Sequence, residues 1–276
     1  MSSPISAVIW ITEDLLPGLI KQIKQAKFPS RLVLHLVLAY GNDYPINYLR
    51  NLAIDAVATS HFFVADMDVW PVGISPFPLF SDFVGDVYNQ AISILNMQPD
   101  PNYSGPINFN PAMVGSVANR NTTAIIVPVY EYMRACNKFA TCPTMRENEI
   151  PATKKALRRC LETSTCRQFR QGQDLHNYYF DEWLDSNYTQ PLTLVKCFVK
   201  DKQEPYVILK KTEGMPRFDE RFVNYGYNKV EFLTELRYSG WRFYVLGTAF
   251  GIDVPHPRSK YQQKFVTCSR SFSMSW

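Results

Sequence analysis

The chain has 276 residues, of which 46% are hydrophobic and 20% charged. That is long enough to bury a large core, lies within the range of one large α/β domain, and is ordinary for a globular protein. A net charge of +4 without a long Lys/Arg run gives no electrostatic footprint for nucleic acid, yet suits an anionic small ligand such as a nucleotide diphosphate. No apolar run approaches the ~20 residues that span a bilayer. Met1-Ser2-Ser3-Pro4 leads straight into a strand pattern, so no signal peptide is read.

In chain order, Ile5 to Ile11 reads as a strand, and residues 13–27 have helical apolar spacing interrupted by Pro17-Gly18. Residues 31–40 form a nearly all-apolar strand of the kind buried in parallel sheets. Helical spacing returns over 46–59, and a third strand covers 61–65. This alternation predicts an α/β fold of Rossmann-like type with a mixed central sheet and ligands at the carboxyl ends of the strands. Residues 71–111 are rich in Pro, Phe and Gly, with a helix predicted over 82–97. Further on come a strand over 122–130, a basic helix over 152–161 and a short helical turn over 181–184. Strands follow over 192–199 and 206–210, then a helix over 226–238 ended by Gly240, and a last strand over 241–251. Without a repeat, a low-complexity tract or a linker, residues 1–276 read as a single domain.

None of the six cysteines forms a CxxC pair, which argues against a zinc ribbon. Cys136/Cys142 and Cys160/Cys166 suit either disulfides in an oxidising lumen or reduced buried thiols. Sequons stand at Asn102, Asn121 and Asn187.

The third strand stops at Asp66-Met67-Asp68, followed by Val69-Trp70-Pro71. Alternating residues of an extended segment point the same way, so a bend after the strand lets Asp66 and Asp68 face one ion. Hard oxygen ligands suit Mn2+ or Mg2+, which also take phosphate oxygens. This is the logic of the DxD motif of nucleotide-sugar-dependent glycosyltransferases. By itself the tripeptide also fits a solvated strand-to-turn junction.

Longer blocks are more specific. They are Tyr44-Pro45-Ile46-Asn47-Tyr48-Leu49-Arg50-Asn51-Leu52-Ala53, Phe62 to Pro71, and Glu204-Pro205-Tyr206-Val207. Phe218-Asp219-Glu220-Arg221-Phe222 then runs into Tyr225-Gly226-Tyr227-Asn228-Lys229, and Pro255-His256-Pro257-Arg258-Ser259 comes last. In these blocks and their order, from about Ile5 to Phe265, the chain resembles the LARGE-type glycosyltransferase family, which includes glucuronyl- and xylosyltransferases acting on dystroglycan. The resemblance implies a GT-A fold, a UDP-sugar donor, Mn2+ dependence with Mg2+ as the alternative, and inverting transfer to a glycan hydroxyl. It also implies a Golgi-lumen setting, although no membrane anchor is read in this chain, and it is compatible with a homo-oligomer.

Carried onto this chain, the resemblance assigns Asp66 and Asp68 to the cation, and Asn47 and Arg50, with both aspartates, to the donor. The third ligand of the family stands in an I-H-x-P-H-like pattern. Here that pattern reads Ile252-Asp253-Val254-Pro255-His256, so Asp253 takes the position with His256 as the alternative. An inverting transfer needs a general base. Asp219 and Glu220 are the candidates, against a reading in which they pair with Arg221 to shape the loop. Tyr225, Tyr227 and Asn228 are expected at the acceptor site. The competing readings are a non-catalytic member that binds sugar nucleotide or glycan, and a nucleotidyltransferase. The latter needs a glycine-rich phosphate loop, which residues 10–21 do not contain.

Overall fold

The computed structural model describes residues 4–72, 122–133, 142, 149–172, 175–176, 181–185, 192–247 and 249–257. The expected helix at 82–97, the sequons, Cys136, Cys268 and Arg258-Ser259 lie outside these residues. The chain opens with β1 (Ile5–Ile11), α1 (Leu16–Gln25), β2 (Leu32–Leu38), α2 (Ile46–Asp55) and β3 (His61–Phe63), in the order the apolar periodicity predicts. Pro17 falls at the start of α1, where its missing N–H costs nothing, so it begins the helix rather than interrupting it.

Later elements are β4 (Val69–Val72), β5 (Thr123–Val127), β6 (Val129–Tyr132), α3 (Lys154–Glu162) and β7 (Cys166–Gln168). A 3-10 turn (Asp181–Leu184), β8 (Leu192–Leu194), β9 (Tyr206–Lys210), α4 (Asn228–Tyr238), β10 (Arg242–Leu246) and β11 (Phe250–Asp253) follow. The fold is mixed α/β, but the described strands form three sheets rather than one central sheet. β1 and β2 pair in parallel; a five-stranded sheet has the order β3-β9-β5-β10-β8, and a four-stranded sheet β4-β11-β6-β7. Both larger sheets mix parallel and antiparallel pairs. The apolar β2 carries exposed Val33, Leu36 and Leu38, so its composition reflects pairing with β1 and not burial on two faces.

Two segments expected as single strands are each split between the two larger sheets. The first breaks at Pro128, which has no N–H to give a ladder; its carbonyl instead accepts from the Gly251 amide at 2.7 Å. The second breaks between Leu246 and Phe250. Because β5 pairs with β10 and β6 with β11, all in parallel, the two segments step from one sheet to the other side by side. The step places the end of β11 beside the start of β4.

The core lies around the five-stranded sheet. All five residues of β5 are buried; Ala124 and Ile126 pack with Leu209, Phe232, Leu236 and Phe243, and Ile125 and Val127 with Ile208, Tyr244 and Leu246. Trp183 fills the gap between the sheets, stacked on Tyr130 at 6.0 Å and edge-on to Phe250 at 6.2 Å. Its indole N–H donates to the Leu246 carbonyl at 2.9 Å. The Lys154 ammonium lies 4.1 Å from the indole centroid and donates to the Trp183 carbonyl at 2.7 Å. Burial pushes the Lys154 pKa down to about 8.

Cys160, near the end of α3, is disulfide-bonded to Cys166 at the start of β7. Cys142 is also disulfide-bonded, and Cys197 is a free, exposed thiol. Closing so short a loop constrains the unfolded chain by about 2 kcal/mol. Double substitution of Cys160 and Cys166 by serine should therefore lower the melting temperature by a few degrees. A scanning-calorimetry trace that does not move would mean the bond constrains nothing. Among the described residues, no helix is long and apolar enough to cross a membrane.

Candidate functional site

After β3 the chain does not stay extended. The Asp66 carbonyl accepts from the Val69 amide at 3.0 Å, closing a turn over Asp66-Met67-Asp68-Val69, and β4 begins at once. In the antiparallel β4–β11 pair Val69 stands opposite Asp253, and the Val254 amide donates to the Asp68 carbonyl at 2.8 Å. The two carboxylates thus meet at the ends of neighbouring strands. β11 packs tightly there: a Cβ added to Gly251 would lie 3.1 Å from Val129 Cγ2 and 3.2 Å from Val69 Cγ1.

His256, three residues past Asp253, completes a cluster. Its Nε2 lies 2.8 Å from Asp68 Oδ2 and 3.8 Å from Asp253 Oδ1. One ligand atom from each of Asp68, Asp253 and His256 falls within 4.8 Å of the others. Ligands about 2.1 Å from an ion lie at most about 4.2 Å apart, so the triad closes onto one cation with shifts of about half an ångström. The electrostatics fit such a guest. Burial, and then the neighbouring charge of Asp68, push the Asp253 carboxyl upward. The hydrogen bond to Asp68 raises His256 despite its burial. Two carboxylates are forced together with an imidazolium between them, and a divalent ion would relieve the same repulsion. Two oxygens and one imidazole nitrogen are a donor set open to Mn2+ or Mg2+.

Asp66 has other partners. Its Oδ1 accepts from Arg50 Nη2 at 3.3 Å, and its Oδ2 from Tyr206 Oη at 2.8 Å and Lys229 Nζ at 3.1 Å. Burial opposes the Asp66 charge, but Lys229 and Arg50, with the hydrogen bonds from Tyr206 and Lys229, outweigh it and hold the carboxyl well below the usual range. A bend after the strand was expected to let both aspartates face one ion. The turn instead gives Asp68 to the triad and Asp66 to the cations.

α2 docks this cluster onto the loop before α4. Asn47, fully buried, donates to the Asp219 carbonyl at 2.9 Å and accepts from Arg50 Nη1 at 3.2 Å. Arg50 Nη1 also donates to Asn228 Oδ1 at 3.0 Å, and the guanidinium lies 5.2 Å from the Phe218 ring centroid. Asn51 acts as a one-residue strand partner. Its Nδ2 donates to the Phe218 carbonyl at 2.8 Å, and its Oδ1 accepts from the Phe218 amide at 3.1 Å.

The two base candidates are both engaged. Asp219 accepts from Arg221 Nε at 2.9 Å and from the Arg221 amide at 3.0 Å, bonds that lower its pKa. Glu220 is exposed and accepts from Asn51 Nδ2 at 2.9 Å. Tyr227 caps α4 in a left-handed conformation (φ 56°) and is exposed, with Lys202 Nζ 5.3 Å from its ring centroid. The Tyr225 centroid is 6.0 Å from the Arg170 guanidinium, and Asn228 is tied to Arg50. Tyr206, Lys229 and Asn51 were not singled out in the sequence. Their one signal is membership of the same blocks as the expected residues.

A mixed α/β chain with a carboxylate–imidazole triad at its strand ends, beside an arginine and a lysine, offers ligand atoms that could hold a cation and positive charge beside them. Residues 31–264 match the model of a family described as glycosyl-transferase for dystroglycan, and the chain belongs to that family. It is 25% identical to xylosyl- and glucuronyltransferase LARGE2 of Mus musculus over 264 residues, covering 93% of this chain and 31% of the relative. It is 27% identical to LARGE2s of Danio rerio and 26% identical to LARGE1 of Homo sapiens, in each case over 84% of this chain and 25% of the relative. The chain thus spans between a quarter and a third of the length of the relatives it matches.

Proposed function

We propose that this chain is a GT-A-type, inverting, metal-dependent glycosyltransferase domain that moves glucuronic acid from a UDP-sugar to a glycan hydroxyl. The observation that carries this reading is the convergence of Asp68, Asp253 and His256 within 4.8 Å in a chain of this family. Mn2+ is the cation we assign, with Mg2+ as the alternative. Once bound, it supplies positive charge to a departing nucleoside diphosphate. Arg50 orients the donor phosphates and is itself held by Asn47 and Asn228. Of the two base candidates, Glu220 is the more open, because Arg221 occupies Asp219. Tyr225 and the exposed Tyr227 line the approach of the acceptor. The Cys160–Cys166 bond supports an oxidising compartment such as the Golgi lumen.

The engagement of both Asp219 and Glu220 favours a second reading, a member that binds sugar nucleotide without transferring it. UDP release with Mn2+, across UDP-glucuronate, UDP-xylose and UDP-N-acetylglucosamine and with or without EDTA, separates the two. The expected result is metal-dependent turnover of UDP-glucuronate that EDTA abolishes. Metal-dependent UDP binding without turnover of any donor would support the second reading, and no metal-dependent binding would reject both.

A further inference from the structure

We propose that Lys229 is a diphosphate-binding residue that selects nucleoside diphosphates over monophosphates, with Asp66 as its counterion in the absence of ligand. The inference rests on the donor reading above and extends it to a residue to which the family match assigns no role.

Lys229 stands in the first turn of α4 with a side chain only 14% exposed. Its ammonium donates to Asp66 Oδ2 at 3.1 Å and to the Tyr206 hydroxyl at 3.2 Å, and it lies 4.2 Å from the Tyr206 ring centroid. An ammonium has three N–H donors, and the third has no hydrogen-bond partner among the described residues. Asp66 is also shared. Arg50, at 10% side-chain exposure, takes its other oxygen. Among the described residues, Asp66 is the one acidic group within ion-pair distance of either cation. Two largely buried cations therefore face one carboxylate whose side chain is 37% exposed, an excess of one positive charge that a ligand can reach. Such an excess is costly unless an anion completes it.

The excess lies beside the cation triad. Asp66 and Asp68 lie in one short turn, and the Tyr206 hydroxyl that contacts Lys229 is close enough to Asp68 and Asp253 to be influenced by both charges. A divalent ion balances the two triad carboxylates, which leaves the extra charge of the Arg50–Lys229 pair for the ligand. A diphosphate would offer one phosphate to an ion held by the triad and the other to Lys229. A monophosphate engages only one of them.

Titration calorimetry of the full chain at saturating Mn2+, with UDP and UMP as probes, tests this. For Lys229→Met we expect the UDP dissociation constant to rise at least about tenfold, the loss of one charge-assisted contact. The UMP constant should change by less than about threefold. Lys229→Gln, which keeps a donor to Asp66 and Tyr206 but removes the charge, should give the same result, and it carries the test if the methionine variant does not fold. UDP affinity that survives either substitution, or UDP and UMP affinities that fall together, overturns the inference while leaving the donor reading intact. Absence of UDP binding by the unsubstituted chain overturns the donor reading itself, and this inference with it.

Discussion

Asp68→Ala is expected to reduce UDP-sugar turnover at least about a thousandfold, since metal stabilisation of a leaving diphosphate is worth several kcal/mol and each 1.36 kcal/mol is about tenfold in rate. Asp68 is the hinge of the triad. It is hydrogen-bonded to His256 at 2.8 Å, and its charge is one of the causes that raise Asp253. Its removal leaves one carboxylate and one imidazole, too few to hold Mn2+ against water. Folding should survive. The side chain is 28% exposed, and losing its hydrogen bond to His256 is offset by relief of the repulsion with Asp253. The hydrogen bond that locks β4 to β11 uses the Asp68 carbonyl, which alanine retains. Mn2+ binding by electron paramagnetic resonance and unfolding by circular dichroism, measured on the same sample, check the two halves. Turnover that persists, or Mn2+ affinity equal to that of the parent, would remove Asp68 from the metal site.

Trp183→Ala is expected to destabilise the fold by about 3–5 kcal/mol, the usual cost of emptying a buried aromatic site. The indole is 1% exposed and touches both larger sheets through Tyr130, Phe250 and the Leu246 carbonyl. Alanine would leave a cavity between them, an unsatisfied carbonyl and a lysine ammonium without its aromatic face. For a chain of this length the loss corresponds to a fall in melting temperature of roughly 5–9 °C. Trp183→Phe keeps the ring but not the N–H, and should cost about 1–3 kcal/mol for the unpaired carbonyl. Equilibrium denaturation of both variants measures the difference. If alanine shifts the midpoint no more than phenylalanine does, the ring packing contributes little. β6 and β11 bear two of the rings around Trp183, and β11 bears Asp253, so Mn2+ affinity should weaken with stability in the alanine variant.

Local chemistry made much of this molecule readable in one dimension. The apolar runs at Ile5–Ile11 and Tyr206–Lys210 became strands with the expected bounds, and the helical spacing after Pro45 became α2, because burial and backbone propensity act over a few neighbouring residues. The blocks around Asn47, Asp66, Asp219 and His256 were legible as belonging to one family. What they do together was not. Pro128 was visible as a residue, but not the transfer of the chain between two sheets that it accompanies, since that depends on β5 and β6 each finding a different parallel partner. Asp66 and Asp68 read as equals one residue apart. Their separation, Asp66 onto Arg50 and Lys229 and Asp68 beside Asp253 and His256, follows from a single turn hydrogen bond and from Arg50, Tyr206 and Lys229, the last two lying 140 and 163 residues further along the chain. Hydrophobic periodicity is written in neighbours, but an ion pair is decided by whichever charges the packed sheets bring within a few ångströms, and only the folded chain selects those.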